Sequence, residues 1–249
     1  MKQILLITDG CSNVGESPVL AAGYAFREGI TVNVIGVVDE GTIGELGSRE
    51  IGDIAKAGGG LSRIVGTAQL ARTVQMLTRQ TVVQTIQQAV NKEVHKILGN
   101  SSLAQLPPQQ RSEMVQVVDE LSETSPLRIA LLIDASASMK PKLAAVEDAV
   151  RDLALSLEAR AGRSEIAVFH FPGRSGGEDA QLDLDFTDHI AQVRSLFSRL
   201  KMRGATPTGP AIFKVIEAFQ GSIALDEPRA LLTGKKHGDQ EGMIGGYVV

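Results

Sequence analysis

The chain has 249 residues, of which 43% are hydrophobic and 22% charged, with 25 Lys and Arg against 29 Asp and Glu. This composition is typical of a folded globular protein, and the net charge of -4 lacks the basic excess that binding to a nucleic-acid backbone requires. A single cysteine, Cys11, excludes an intrachain disulfide framework. No apolar run approaches the roughly 20 residues needed to span a bilayer. We therefore expect a cytoplasmic protein whose partners include neither nucleic acid nor membrane.

Short apolar runs predict the strands, in chain order at residues 4–7, 32–38, 64–65, 129–133 and 166–171. Because these runs are nearly continuous, we expect strands covered on both faces, as in a parallel sheet with crossover helices. Residues 181–186 alternate instead, which predicts an edge strand with Asp183 and Asp185 facing outward. The pattern favours an α/β fold with a doubly wound, mostly parallel, Rossmann-like sheet.

Helical spacing fills the intervals between these strands. The predicted helices cover residues 18–28, 46–57, 68–98, 108–125, 142–161, 190–200 and 211–219, and Gly59-Gly60 is predicted to form a turn. The third and fourth helices form a predicted helical hairpin between two blocks, neither of which holds a complete sheet. Residues 80–91 carry no charge, so this stretch either packs on its own domain or forms a partner or dimer surface, as in a helix-mediated oligomer.

The polar residues that carry chemistry stand next to predicted strands and helices. Asp134, Ser136 and Ser138 form the motif DASAS directly after the fourth predicted strand. Asp9 in ITDG follows the first strand, and Thr206 in GATPTGP precedes the last helix. Loops beyond the carboxyl ends of parallel strands form the ligand crevice of open α/β sheets, so these oxygens are expected to converge. Few carboxylates and several hydroxyls suit Mg²⁺, with Mn²⁺ as the alternative, whereas a Ser-rich helix cap is the alternative interpretation of DASAS alone.

DASAS, ATPTG and ITDG together resemble the metal-ion-dependent adhesion site (MIDAS) of von Willebrand factor A (VWA) domains, in which an Asp-x-Ser-x-Ser loop, a Thr loop and an Asp loop surround Mg²⁺. The residues that the resemblance assigns to the ion are Asp9, Asp134, Ser136, Ser138 and Thr206. It implies direct bonds from the serines, a direct or water-mediated bond from the threonine, and mainly water-mediated contacts from the aspartates. Thr208 takes the threonine's place if the loop shifts by two residues.

The order of the motifs departs from that family, because Asp9 precedes DASAS instead of following it. This is the order of a circular permutant, in which residues 127–225 correspond to the N-terminal half of a VWA fold and residues 1–79 to its C-terminal half. Residues 80–126 are then a helical linker and residues 226–249 a mobile tail. The rival architecture is a domain swap between two chains. In overall plan the chain is also similar to the permuted, YabS-like VWA proteins of spore-forming bacilli, which implies a context in sporulation.

Three functions are compatible with such a site. The first is a non-catalytic module that captures a Glu or Asp of a protein partner on the metal ion. The second is Mg²⁺-dependent hydrolysis or phosphoryl transfer, which is less favoured because a serine stands two residues after Asp134 and the four histidines show no metal-ligand spacing. The third, an accessory subunit of an AAA-type ATPase, rests on family analogy alone. We therefore expect that the protein is not an enzyme.

Three further features are expected to be structural. His170 alternates with two phenylalanines in a predicted strand, which favours a hydrogen-bonded core histidine. Cys11 is expected to be an inert thiol, with a redox switch as the alternative. Asp39 and Glu40 are expected to be solvated loop acids, with a role beside the metal or toward a partner as the alternative.

Overall fold

The structure is a computed structural model that describes residues 1–38, 44–98, 107–173, 178–189, 192, 197 and 204–232. Its strands are β1 (Lys2–Thr8), β2 (Ile30–Val38), β3 (Gly59–Gly66), β4 (Leu127–Asp134), β5 (Ser164–Phe171) and β6 (Gln181–Thr187). Its helices are α1 (Pro18–Arg27), α2 (Glu45–Ala57), α3 (Leu70–Leu98), α4 (Pro108–Thr124), α5 (Leu143–Glu158) and α6 (Thr208–Leu232). Short 3₁₀ turns at Thr67–Gln69 and Ala137–Lys142 lead into α3 and α5.

The six strands form one sheet in the order β3-β2-β1-β4-β5-β6. The first five run parallel, and β6 is antiparallel at one edge. The central pair, β1 and β4, joins the two blocks of the sequence within one chain, with Leu5 opposite Leu131. Residues 129–133 therefore lie between the first strand on one side and residues 166–171 on the other, which is the arrangement that a circular permutant of the VWA fold requires.

Helices cover both faces of this sheet. On one face α3 and α5 pack over a core that includes Leu5, Ile7, Leu131 and Ile133. Helices α1 and α2 pack against each other and against β2. Side chains of the opposite parity in the central strands, such as Ile4, are also fully buried, as a strand covered on both faces requires. The predicted doubly wound, mostly parallel α/β fold is confirmed.

The long helix α3 is part of the core instead of a free linker. Its first turns bury Leu70, Val74 and Leu77 against the sheet, and burial continues through Val82 and Ile86. The predicted boundary between residues 79 and 80 therefore lies inside a helix that packs continuously on the sheet. The exposed glutamines of the stretch 80–91 face away from this packing.

Helix α4 packs against α3 and completes the predicted helical hairpin. Its contact with the core is narrow, because Val118 and Ser122 are its buried residues. Val115 and Val117 are 59% and 42% exposed. Hydrogen bonds also connect the end of α4 to the rest of the molecule. The Arg160 guanidinium donates to the carbonyl oxygens of Ser122 and Ser125 at 2.7 and 3.0 Å.

The turn predicted at Gly59-Gly60 is instead the start of β3. Gly59 has a φ of +64°, a left-handed conformation that glycine adopts without strain. A Cβ atom on Gly60 would lie 2.2 Å from the carbonyl oxygen of Val32, so the close approach of β2 also requires glycine there. The two glycines that suggested a turn in the sequence are therefore the residues that the start of β3 requires.

The predicted orientation of Asp183 was wrong. Strand β6 is the edge strand that the alternation indicates, but its pairing with β5 shifts register twice. The Asp183 side chain is 4% exposed and lies against His170, whereas Leu182 is 39% exposed. A register shift breaks the strict period of two, so alternation in the sequence no longer specifies the face. Asp185 is exposed, as predicted.

The predicted last helix, at residues 211–219, is longer in the structure. Helix α6 runs from Thr208 to Leu232, so the predicted start of a tail at residue 226 falls within it. By internal packing the chain divides into two units, Met1–Ile216 and Glu217–Val249, and the end of α6 belongs to the second. Asp39, Glu40, most of the predicted helix at 190–200 and residues 233–249 lie outside the described residues.

Candidate metal centre

The predicted site lies where the direction of sheet winding reverses. From β1 the chain proceeds outward through β2 to β3, and from β4 it proceeds the other way through β5 to β6. The connections that leave β1 and β4 therefore diverge, which opens a crevice at the carboxyl ends of these two strands. Asp9 directly follows β1 and Asp134 ends β4, so the topology places both carboxylates at this crevice.

Asp134 forms the buried floor of the site. Its residue is fully buried, and its Oδ2 accepts a hydrogen bond from Thr8 Oγ1 at 2.6 Å. Its Oδ1 accepts from the Ser136 backbone N–H at 2.8 Å, which fixes the start of the serine loop. Burial raises the pKa of Asp134, with a smaller contribution from the Asp9 carboxylate, while the bonds from Thr8 and Ser136 oppose this rise.

Three side-chain oxygens form a chain above this floor. Ser138 Oγ donates to Asp9 Oδ1 at 2.9 Å, and Ser136 Oγ lies 3.1 Å from Ser138 Oγ. Ser136 is 5% exposed, whereas Ser138 is exposed. The cluster is therefore buried on the side of Asp134 and open to solvent on the side of Ser138.

A lysine completes the polar cluster. Lys142 Nζ lies 2.6 Å from Asp9 Oδ2 and donates to the Ser138 carbonyl oxygen at 3.1 Å. The Lys142 and Asp9 side chains are 11% and 4% exposed. One oxygen of Asp9, Oδ1, therefore faces the serine hydroxyls, and the other, Oδ2, faces the ammonium group.

The threonine loop is fastened to the segment that follows Asp9. The Thr206 N–H donates to Asn13 Oδ1 at 2.8 Å, and the Thr206 carbonyl accepts from the Asn13 N–H and from Ser12 Oγ, both at 3.2 Å. Thr206 is 6% exposed, and Thr208, the predicted alternative, is 1% exposed at the start of α6. These bonds bring the backbone of Thr206 to Ser12 and Asn13, in the loop that follows Asp9.

The oxygen spacing can be compared with the shell of a cation. Neighbouring oxygens around six-coordinate Mg²⁺ with bonds of about 2.0 to 2.1 Å lie about 2.9 Å apart. The spacings from Asp9 Oδ1 to Ser138 Oγ and on to Ser136 Oγ are 2.9 and 3.1 Å. Within the described ranges no three His, Cys, Asp or Glu side chains gather as a metal-binding group, so this site depends on hydroxyl oxygens. The donor set fits a small, hard cation.

His170 serves the fold, as expected. It is 1% exposed, and its Nδ1 lies 2.5 Å from Asp183 Oδ2 across the β5–β6 pair. The register places His170 beside Ile133, whose side chain belongs to the core under α3 and α5, so Asp134 belongs to the other face of the sheet. His170 therefore does not point toward Asp134.

Cys11 lies in the loop between Asp9 and Asn13 and is half-buried. Burial raises the pKa of its thiol, and the nearby Glu50 carboxylate adds to the rise. Glu50 also accepts a hydrogen bond from the Ser12 N–H at 2.7 Å, which holds this loop against α2. A raised pKa reduces the thiolate fraction and favours the inert thiol over the redox switch.

Sequence reasoning missed two residues that shape the site. Lys142 stands four residues after Ser138, a spacing that brings two side chains to one side of a helical turn. Thr8 directly precedes Asp9, but its contact with Asp134 depends on the pairing of β1 with β4, which no local pattern shows. Spacing in the sequence could have identified Lys142, but it could not have identified the role of Thr8.

The fold and the site define the class: a doubly wound α/β protein with an oxygen-rich crevice at the switch point of its sheet. Comparison with known proteins then places it more closely. The uncharacterized protein YabS of Bacillus subtilis (strain 168) is 45% identical over 236 residues, which cover 92% of this chain and 96% of YabS. The chain therefore belongs to the same family as YabS.

A solved structure agrees on the fold. A crystal structure of an uncharacterized protein from Alicyclobacillus acidocaldarius matches with a TM-score of 0.83 and 44% identity, over 90% of this chain and 95% of that one. No family model matches the chain. Another solved structure is that of proximal thread matrix protein 1 from the mussel byssus, with zinc in its MIDAS motif. The match covers 82% of this chain and 43% of the mussel protein chain, with a TM-score of 0.26 and 18% identity. So distant a likeness carries no conclusion here.

Among the helices in the described ranges, none combines the length and hydrophobicity that crossing a membrane requires.

Proposed function

We propose that this protein is a non-catalytic, metal-ion-dependent binding module of the VWA type. Ser136, Ser138 and Asp9 would hold Mg²⁺, or Mn²⁺ in its place, with the buried Asp134 beneath the serine loop and Thr206 as a further hydroxyl ligand. The observation that carries the proposal is the convergence of two serine hydroxyls and the Asp9 carboxylate in the switch-point crevice, a set of hard oxygen donors. Bound there, the cation would supply a hard positive centre for an acidic side chain.

The protein's own residues divide the work of such a site. Asp134 is held by Thr8 and the Ser136 N–H, so it orients the serine loop from below. The exposed position of Ser138 leaves the solvent side open, where a Glu or Asp of a protein partner can approach. The net charge of -4 opposes nonspecific attraction of acidic partners, so the contact would depend on the local metal charge.

We further propose that the order of the motifs is that of a circular permutant. The pairing of β1 with β4 in one chain supports it, because Asp9 and DASAS then meet without a second chain. A cytoplasmic location and a context in sporulation stay predictions.

The metal site is tested by measuring the midpoint of thermal unfolding and the heat of binding while Mg²⁺ or Mn²⁺ is added. A ligand that binds the folded state raises its stability as RT ln(1 + [L]/Kd), so we expect a rise in Tm that EDTA reverses. The double variant Ser136→Ala/Ser138→Ala should lose the rise. Ser112→Ala, an exposed serine on α4, should keep it. A folded chain that responds to neither ion, both with and without an acidic peptide, contradicts the proposal.

Partner capture is tested on immobilised peptides that carry Glu or Asp, each paired with a Gln or Asn control. We expect retention on the acidic peptides in Mg²⁺ and none in EDTA. Retention that survives both EDTA and Asp134→Ala would show that no metal bridge forms. Mg²⁺-dependent hydrolysis of p-nitrophenyl phosphate that Asp134→Ala abolishes would favour the enzyme instead.

A further inference from the structure

Lys142 is an unusual component of a cation site. Its side chain is 11% exposed, although lysine is almost never buried this far without a partner. Its ammonium group lies 2.6 Å from Asp9 Oδ2, and the Asp9 side chain is itself 4% exposed. A second bond, to the Ser138 carbonyl oxygen at 3.1 Å, holds the ammonium on the serine loop.

This arrangement puts a positive charge on the carboxylate that faces the serine hydroxyls. The two oxygens of Asp9 are shared between Ser138 Oγ, at 2.9 Å, and Lys142 Nζ, at 2.6 Å. Both Lys142 and Ser138 belong to the short turn Ala137–Lys142, so the ammonium and the serine hydroxyl are carried by one segment. Lys140 lies on the same turn but is exposed, and so it supplies a matched control.

The charges at the site follow from these contacts. Asp9 and Asp134 contribute two negative charges, and Lys142 offsets one of them. A divalent cation beside the serine hydroxyls is repelled by the ammonium over a few ångströms of poorly solvated protein, where Coulomb interactions exceed those in bulk water. A carboxylate from outside restores the missing negative charge. Cation and carboxylate then each favour the binding of the other, and such a coupling is reciprocal.

We propose that Lys142 is a resident counter-ion that keeps the cation affinity of this centre low until an acidic side chain arrives, so that the metal ion and the partner's carboxylate bind cooperatively. This inference rests on the proposed function and adds to it a regulation of the same site. It makes the occupied state depend on the partner as well as on the ion.

The experiment is a calorimetric titration of Mn²⁺ into the wild-type chain, Lys142→Met and Lys140→Met, each without and with acetate as the carboxylate probe. We expect Lys142→Met to bind Mn²⁺ about tenfold tighter than wild type, because the competing charge is gone. Lys140→Met should stay within about twofold. Acetate should tighten Mn²⁺ binding in the wild type and have less effect in Lys142→Met. Equal or weaker binding by Lys142→Met overturns the inference.

Folding is controlled separately, because Lys142→Met leaves Asp9 buried and unpaired. We expect a lower Tm for Lys142→Met in EDTA and a larger rise with Mn²⁺ than in the wild type. The variant Asp9→Asn/Lys142→Met removes both charges and should regain the Tm without the Mn²⁺ response. Lys142→Gln, which keeps a hydrogen-bond donor but removes the charge, repeats the titration if Lys142→Met does not fold. If Lys142→Met or Lys142→Gln binds Mn²⁺ only as tightly as the wild type does, this inference fails and the proposed function stands. If no folded variant binds Mn²⁺, the proposed function fails as well.

Discussion

Asp134 shows how one residue serves both the fold and the site. It is fully buried at the end of β4, where Thr8 Oγ1 and the Ser136 N–H donate to its two oxygens. These bonds join β1, β4 and the serine loop at one carboxylate. Burial nevertheless disfavours the charge, as the raised pKa of Asp134 indicates.

We expect Asp134→Asn to separate folding from metal binding. The amide oxygen can still accept from the Ser136 N–H, and the amide NH₂ group can donate to Thr8 Oγ1, so the local bonds survive. Removing the buried charge should make the metal-free variant at least as stable as the wild type at neutral pH, while the Mg²⁺-induced rise in Tm is lost.

The sign of the pH dependence follows from the raised pKa. The folded chain holds a proton on Asp134 at pH values where the unfolded chain has released it. The wild type is therefore penalised above the ordinary carboxyl pKa, and the penalty disappears in acid, where both states are protonated. Urea unfolding in EDTA between pH 7 and about pH 3 should show the advantage of Asp134→Asn shrinking as pH falls. A loss of more than about 1 kcal/mol by the variant at neutral pH would contradict this account.

At the scale of elements, a buried amide connects strands to the long helix. Asn33 of β2 is fully buried, and its Oδ1 accepts from the Leu61 N–H of β3 and from Thr81 Oγ1 of α3, both at 2.9 Å. Its amide NH₂ group donates to Gln3 of β1 at 3.4 Å. These contacts fix where α3 crosses the sheet, a position that hydrophobic packing alone leaves adjustable.

We expect Asn33→Leu to destabilise the protein by about 3 kcal/mol, because the Leu61 N–H and the Thr81 hydroxyl lose their buried acceptor. Thr81→Val removes one hydroxyl partner and should cost about 1 kcal/mol. Gln80→Ala, on the exposed face of the same helix, should change stability by less than about 0.5 kcal/mol. Urea denaturation followed by circular dichroism measures all three. An Asn33→Leu variant as stable as the Gln80→Ala control would show that this network does not anchor α3.

The element scale also shows where periodicity succeeds and where it stops. The helical spacing of residues 68–98 correctly predicted α3, and the structure buries its Leu70, Val74 and Leu77. The spacing missed Thr81, because a pattern of hydrophobic residues cannot reveal a buried hydroxyl whose acceptor lies on another strand. The predicted orientation of Asp183 was wrong for a related reason, because the pairing of β6 with β5 sets its register.

At the scale of the whole molecule, the two blocks of the sequence depend on each other. Strands β1 and β4 lie at the centre of the sheet, and each is the other's neighbour. If the two blocks were separated, β1 would lose its hydrogen-bonded neighbour on one side. Strand β4 would likewise lose its neighbour β1. Helix α3, which lies between the two blocks in the sequence, also packs on α5 of the second block.

We therefore expect fragments 1–98 and 107–249 to be unfolded or aggregated alone and to regain a cooperative thermal transition when mixed. Circular dichroism melts and light scattering after size-exclusion chromatography measure both states. The intact chain is the control, and it should show a single cooperative transition because its central strand pairing is made within one chain. A fragment 1–98 that melts cooperatively by itself would mean that the first block is a separate domain.

The sequence by itself determined the α/β class, the parallel core strands and the two loops with acidic and hydroxyl residues. It could do so because burial on both faces and the ends of strands leave local patterns. The sequence also predicted that Asp9 and DASAS converge, but the tertiary structure decided the register of β1 beside β4, the 2.9 Å between Asp9 and Ser138, and the contact of Lys142 with the second oxygen of Asp9. Those contacts join residues more than a hundred positions apart, and only packing of the complete sheet selects one such pairing among many.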